Sequence, residues 1–346
     1  MAKCVFVAMS GGVDSSVTAY LLKEVGYDVV GITMDLIEKL DTCHSSQAFA
    51  DAQDVADRLG IPHHIIDCKA EFKQEVINYF VNEYLHGRTP NPCVLCNSRI
   101  KFGLLLDKAR QFGADYLATG HYAKIEEKNG RYVIRKGIDI TRDQSYFLYK
   151  LTQKQLSQAM MPLGGYQKVD VRKIAASQSF KIADKSESRE ICFIPEGDYR
   201  QFIQQRDTLQ PGPILDKQGK VLANHEGLIQ FTIGQRRGLG IAAGKPLYVI
   251  AIDKSENAII VGEETDLYSR SLTAKELNWV AIENLNLSIE VMAKIRYLHT
   301  GAKAVISPVD EDRVKVEFDQ PQRAITPGQS VVFYQNDILV GGGIIE

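Results

Sequence analysis

The sequence predicts an α/β protein: a doubly wound parallel sheet at the N-terminal end, followed by a β-rich half. Three observations carry this. Short β-branched runs alternate with helical stretches from residue 3 to about 120, which is the pattern of βαβ units. A glycine-rich loop joins the first run to the first helix. After about residue 200, glycine, proline and turn residues arrive at close intervals between short apolar runs, and long helical periods disappear.

The expected strands are Cys4–Ala8, Asp28–Thr33, His63–Asp67 and Tyr116–Thr119. Between the first two, Val13, Val17, Tyr20, Leu21 and Val25 recur at three- and four-residue spacing, the sheet-facing side of a helix ending at Gly26. Gln47–Leu59, closed by Gly60, reads as a second helix. Thr89-Pro90-Asn91-Pro92 holds the chain extended, so the next helix is expected from about Asn97 to Phe112, with Cys93 to Cys96 at a loop-to-helix junction. With 346 residues the chain exceeds one ordinary core. Pro211-Gly212-Pro213 and the stretch Glu263–Asp266 read as joints, giving three expected domains: 1–200, a small β-rich central domain over 201–268, and a C-terminal β-barrel over 269–346.

Composition narrows the class. Apolar residues make up 45% and charged residues 24%, a folded rather than disordered chain. The apolar run Val5–Met9 ends in glycines rather than a cleavage site, so it reads as a buried strand and not a signal peptide. No segment approaches the roughly 20 unbroken apolar residues of a membrane span. A cytoplasmic protein is expected. There, the six cysteines point to catalytic or metal roles before structural disulfides. A net charge of −2 leaves room for a local basic face.

Strand, then Ser10-Gly11-Gly12-Val13-Asp14-Ser15, then helix makes an anion site: glycines admit close backbone approach and helix N-terminal N–H groups face phosphate oxygens. It lacks the lysine of a Walker A loop and is not the dinucleotide Gly-x-Gly-x-x-Gly. Cys93-Val94-Leu95-Cys96 has no second pair for structural zinc. Cys96, just before the expected helix and near Lys101, would have its thiolate favoured. Cys192, in Ser186–Pro195, by itself reads more readily as a small buried hydrophobe than as a nucleophile.

The loop resembles the PP-loop signature of the adenine nucleotide alpha-hydrolase-like superfamily, with its Rossmann-like sheet and cleavage of ATP to AMP and pyrophosphate. The whole chain resembles the tRNA-specific 2-thiouridylase family. The resemblance runs through Ala8–Ser16, Gly87-Arg88-Thr89-Pro90-Asn91-Pro92, Leu95-Cys96-Asn97, Ile100-Lys101-Phe102 and Ala118-Thr119-Gly120-His121-Tyr122. It continues through Asp143–Leu148, Ile191-Cys192-Phe193-Ile194, Gly234–Gly240 and Thr326-Pro327-Gly328-Gln329. In that family ATP and Mg²⁺ adenylate C2 of the wobble uridine (position 34) of tRNA, and a persulfide sulfur then displaces AMP.

The resemblance implies Cys96 as nucleophile, Cys192 as persulfide carrier, the two joining in a transient disulfide, and Asp14 acting near Mg²⁺. It implies ATP binding at Ala8, Met9, Ser10, Gly11, Gly12, Val13, Asp14, Ser15, Met34 and Gly120. Asn91, Pro92 and Cys93 would meet the target base. His121, Arg142, Asp143, Gln144, Arg296, Tyr297 and Gln329 would contact the tRNA anticodon stem-loop. Arg236, Arg237 and Lys245 are candidate phosphate contacts. The sulfur donor would be a cysteine desulfurase or a sulfur carrier. Three alternatives stay open: an iron–sulfur cluster on Cys93, Cys96 and Cys192, a PP-loop amidotransferase or synthetase, and a non-catalytic tRNA-binding protein.

Overall fold

In the computed structural model, residues 2–37, 44–185, 191–194, 198–206, 209–242 and 244–346 are described. Cys43 and residues 186–190 and 195–197, which flank the Cys192 motif, lie outside them. Strand β1 (Cys4–Ala8) leads through the glycine loop into helix α1 (Val13–Glu24) and back to β2 (Asp28–Asp35). Helix α2 (His44–Leu59) connects to β3 (His63–Asp67). Two long helices follow, α3 over 69–85 and α4 over 92–111, then β4 (Tyr116–Ala118). The next two strands, β5 (Ala123–Lys128) and β6 (Arg131–Lys136), form a hairpin; β7 (Ala159–Met160) and helix α5 (Lys168–Ser177) close the N-terminal part.

The first sheet is wholly parallel, in the order β3-β2-β1-β4-β7. The chain moves outward from β1 to β3 and then returns to the other side of β1. A switch point therefore lies between β1 and β4, where α/β ligand crevices open. On α1 the buried residues include Val13, Val17, Ala19 and Leu22, whereas Val25 is 71% exposed, because the helix ends at Glu24 and Val25 lies past its last turn.

Helix α4 begins five residues earlier than the proline reading expected. Pro92 occupies its first turn, where a missing N–H costs nothing, and Asn91 is extended. Cys93 and Cys96 are thus helical residues, not members of a preceding loop. Over Cys96–Leu105 the hydrogen bonding shifts to the wider π pattern. Such stretches are rare and concentrate at functional sites.

The β-rich half holds two sheets. Strands β8 (Gly212–Leu215), β9 (Val221–His225), β10 (Tyr248–Asp253) and β11 (Ala258–Gly262) form a four-stranded sheet in the order β10-β11-β8-β9. Gly212 and Pro213, read above as a joint, are inside it: they pair with His225 and Asn224. The last six strands are β12 (Tyr268–Trp279), β13 (Ile289–Lys294), β14 (Ala302–Pro308), β15 (Val314–Arg323), β16 (Ser330–Gln335) and β17 (Ile338–Ile345). They close through β12–β17 pairing into a barrel.

The outer edge of the barrel receives β6, which pairs with β17 and carries β5 beside it. Arg135 clasps Asp337 across this seam at 2.9 and 3.0 Å. One apolar core joins Phe6, Phe102 and Leu117 of the parallel-sheet half to Val332, Tyr334 and Leu339 of the barrel. The opposite face of the sheet is covered by α1, α2 and α5 through Val17, Ala52, Val55 and Val171.

Candidate active site

The glycine loop sits at the carboxyl end of β1, held from both sides. Met9 N–H donates to the Ile32 carbonyl (2.8 Å), and its carbonyl accepts from the Thr33 hydroxyl (2.7 Å). Gly11 has φ +66°, and a Cβ there would lie 2.3 Å from the Ala48 carbonyl oxygen of α2, so only glycine fits. Ser10 N–H donates to Ser15 Oγ (3.1 Å), while Ser15 and Ser16 hydroxyls donate to the Gly12 carbonyl. Gly12 caps α1 without a side-chain hydrogen bond, which leaves the positive helix end open to an anion. These features fit a bound nucleotide phosphate.

Asp14 points to two partners that the sequence reading missed. Lys168 Nζ donates to both of its carboxylate oxygens at 2.7 and 2.8 Å, and the Tyr122 hydroxyl donates to Oδ1 at 2.7 Å. Lys168 opens α5, where its own N–H donates to Asp139 at 2.9 Å. A separation of 154 residues hides this pair from any spacing argument. Lys185 also reaches the loop, donating to the Gly11 carbonyl (3.0 Å) and to Asp51 (2.6 Å).

Beyond β4, Gly120 lies against the loop and His121 is buried. His121 Nδ1 is 2.7 Å from the Thr119 hydroxyl, and its ring is 6.2 Å from Phe102 of α4. Desolvation first, and the nearby Lys101 ammonium second, hold the imidazole well below its ordinary range, so it is neutral at pH 7.

Cys93 and Cys96 lie in the first turns of α4, and Cys192 comes close enough to feel both. Cys96 is buried among Ile100, Phe80 and Phe193, whereas Cys93 and Cys192 keep solvent-exposed surface. Phe193 and Ile194 anchor Cys192: Phe193 stands edge-on to Phe72 and Phe80 at 5.7 and 5.3 Å. This corrects the reading of Cys192 as a buried hydrophobe, since its neighbours fill the core and the thiol does not. Burial pushes all three thiols up, Cys192 to about 12. Two of them feel another: Cys96 and Cys93 act on Cys192, and Cys93 acts on Cys96. The expectation that the helix start favours the Cys96 thiolate therefore fails, because Cys96 is a full turn inside α4 and desolvation dominates.

Lys101 opposes that desolvation at all three thiols. It lies five residues after Cys96 within the π stretch, the hydrogen-bonding span of that wider helix. Met34, half-buried at the end of β2, packs against both the main core and the cluster containing Cys96. Among the described residues, no three His, Cys, Asp or Glu side chains converge on a point suited to a metal ion.

The residues expected to meet RNA divide into groups. Asn91 bonds the Tyr146 side chain, and Tyr297 packs on Phe147 at 4.4 Å and on Tyr146 at 6.0 Å, with Arg296 close enough to act on Tyr146. Gln329 donates to the Thr89 carbonyl (3.0 Å), and Thr89 N–H donates to Pro327 (2.9 Å). The barrel thus holds the extended segment before α4. Asp143 is buried, accepting from Gly137 N–H, Ser145 N–H and the Ser145 hydroxyl, which shapes the loop around half-buried Arg142. Gln144 exchanges hydrogen bonds with the Tyr122 backbone. Arg236 and Lys245 stand apart, lining a groove of about 460 Å³ formed by the connection between β9 and β10, with Arg237 exposed beside it.

Three family models cover the chain: a tRNA methyl transferase HUP domain over 3–196, a tRNA methyl transferase PRC-barrel domain over 200–263 and an aminomethyltransferase beta-barrel domain over 269–345. The chain is 51% identical to tRNA-specific 2-thiouridylase MnmA 1 of Clostridium botulinum (strain Loch Maree / Type A3) over 355 residues, covering all of both. It is 52% identical to tRNA-specific 2-thiouridylase MnmA 2 of Thermoanaerobacter sp. (strain X514) over 354 residues, 99% of this chain and 97% of that protein. It is 51% identical to tRNA-specific 2-thiouridylase MnmA 2 of Clostridium tetani (strain Massachusetts / E88) over 353 residues, 99% of each. The chain belongs to the tRNA-specific 2-thiouridylase family.

Proposed function

We propose that the protein is a tRNA-uridine 2-sulfurtransferase that activates C2 of the wobble uridine with ATP and replaces its oxygen with sulfur. The observation that carries this is an anion-binding loop packed against Gly120, next to a buried His121 that shares the Lys101 ammonium with the thiols of Cys93, Cys96 and Cys192. Adenylation turns a poor leaving oxygen into AMP, and a persulfide is a strong nucleophile near neutral pH. The open end of α1, with Gly11 and Gly12, would hold the phosphates. Asp14 is the residue that would hold Mg²⁺, which neutralises charge on the departing pyrophosphate.

The terminal sulfur of a Cys192 persulfide attacks C2 and AMP leaves. The Cys96 thiolate then attacks Cys192 Sγ and breaks the S–S bond. This frees 2-thiouridine and forms a Cys96–Cys192 disulfide, which a dithiol reductant reopens. Lys101 favours the Cys96 thiolate that this step requires. The uridine must leave its stack, a small cost in an anticodon loop. Asn91, Pro92 and Cys93, at the head of α4, would receive it, with Asn91 held by a hydrogen bond to the buried Tyr146 side chain. A cysteine desulfurase or sulfur carrier supplies the sulfur.

The family models carry a methyl transferase label, while the named relatives are thiouridylases. Methyl transfer to carbon or nitrogen needs no pair of thiols and releases no pyrophosphate. Mass spectrometry of tRNA nucleosides after incubation with ATP, Mg²⁺ and a persulfide donor separates the readings. Sulfur in place of the uridine oxygen is expected. An unchanged uridine, or an added methyl group, would overturn the proposal.

A further inference from the structure

The phosphate loop has no lysine of its own, yet a buried lysine reaches it from α5. Lys168 is 8% exposed and its ammonium is fixed on Asp14 by two hydrogen bonds at 2.7 and 2.8 Å. Asp14 lies in the first turn of α1, beside the backbone N–H groups that face the anion site. Tyr122 supports the pair: its hydroxyl bonds Asp14 and its ring faces the ammonium at 5.7 Å. Asp139 pins the start of α5 through the Lys168 N–H, which fixes the stem from which the side chain projects.

Building on the loop's role as phosphate site, we propose that Lys168 is the pyrophosphate-binding lysine of this enzyme, supplied from α5 and held ready on Asp14 until the nucleotide arrives. A lysine stem carries a flexible point charge, suited to moving a short way between two anions. When phosphates settle on the α1 end, the ammonium turns from the carboxylate to a phosphate oxygen, and Asp14 is released to the cation that accompanies the nucleotide. The pairing also keeps Asp14 from repelling an incoming anion.

Binding of inorganic pyrophosphate without metal, measured by titration calorimetry beside AMP, tests this. Wild type is expected to bind pyrophosphate. Lys168→Met should weaken that affinity at least about tenfold, the size of a lost charge-assisted hydrogen bond, and leave AMP affinity unchanged. Lys168→Arg should stay within a few-fold of wild type. Because Lys168→Met leaves the Asp14 carboxylate without its cation, the double variant Asp14→Asn, Lys168→Met removes both charges and guards against a folding defect. Its pyrophosphate affinity should remain low. Recovery to the wild-type value would show that the lysine only neutralises Asp14 and would overturn the proposal, as would an unaffected Lys168→Met. A wild type that binds no pyrophosphate, at any concentration tested, sinks the loop reading and this inference together.

Discussion

Gly120 is packed so tightly on Asp14 that a Cβ would come within 2.9 Å of the Asp14 carbonyl carbon and 3.0 Å of the Ser15 nitrogen. Those are backbone atoms of the phosphate loop, which cannot step aside without tilting the start of α1. Gly120→Ala should therefore raise the KM for ATP by at least about tenfold, since misplacing a bound group by an ångström costs on that order or more. Little change is expected in tRNA affinity. Steady-state kinetics with each substrate varied in turn would expose the split, and equal effects on both would contradict it.

The thiols differ in their part in the persulfide sequence and so in expected phenotype. Cys96→Ser and Cys192→Ser should each abolish 2-thiouridine while pyrophosphate release persists, because adenylation precedes sulfur transfer. Cys93→Ser should keep sulfur transfer within about tenfold, since the persulfide sequence uses only two thiols. Iron analysis of the purified protein, with loss of activity in Cys93→Ser, would instead favour a three-thiolate cluster.

With its thiol pushed up to about 12, Cys192 is protonated at neutral pH, and its thiolate fraction grows about tenfold per pH unit below that value. Alkylation by iodoacetamide, followed by peptide mass spectrometry, should show a rate still climbing at pH 9. Removing the opposing charge with Lys101→Met should slow alkylation of Cys96 at every pH. The same raised thiols favour the folded chain below the unfolded cysteine range of about 8.5 and lose that contribution as pH rises toward their folded values. Thermal melts should accordingly fall above about pH 9.

Gly328 has φ +88°, and a Cβ on it would lie 2.9 Å from Thr89 N and 3.1 Å from Thr89 O. Gly328→Ala therefore adds backbone strain and parts the barrel from the segment before α4, a loss of about 1–3 kcal/mol. The melting temperature should drop by about 5 °C. The KM for tRNA should rise while metal-free pyrophosphate binding is unaltered. A shift in pyrophosphate binding would mean that the barrel reaches further into the site than the contacts at Thr89.

Much of this was legible because local rules and the fold agree. The strands β1 to β4 and the loop at Ser10–Ser15 follow from alternation and glycine chemistry. The barrel half was legible from its turns, although its closure was not, since pairing of β12 with β17 leaves no local trace. Asn129-Gly130 went unread, even though both residues take positive φ, 52° and 74°, as the commonest two-residue hairpin turn demands. The start of α4 was placed late because proline was read only as a helix breaker and not as a first-turn residue. Lys168 and Tyr122 could not be found from spacing, since only the fold brings them to Asp14.

The seam between β6 and β17 ties the order of synthesis to the order of folding. Arg135 and Asp337, its clasp, are 202 residues apart, so the hairpin emerges from the ribosome with a bare edge and waits for its partner strand. Unpaired edges invite association with other chains. A message truncated before Ile338 would yield a chain carrying that bare edge beside an unclosed barrel, a species expected to aggregate rather than to survive as a smaller nucleotide-binding unit.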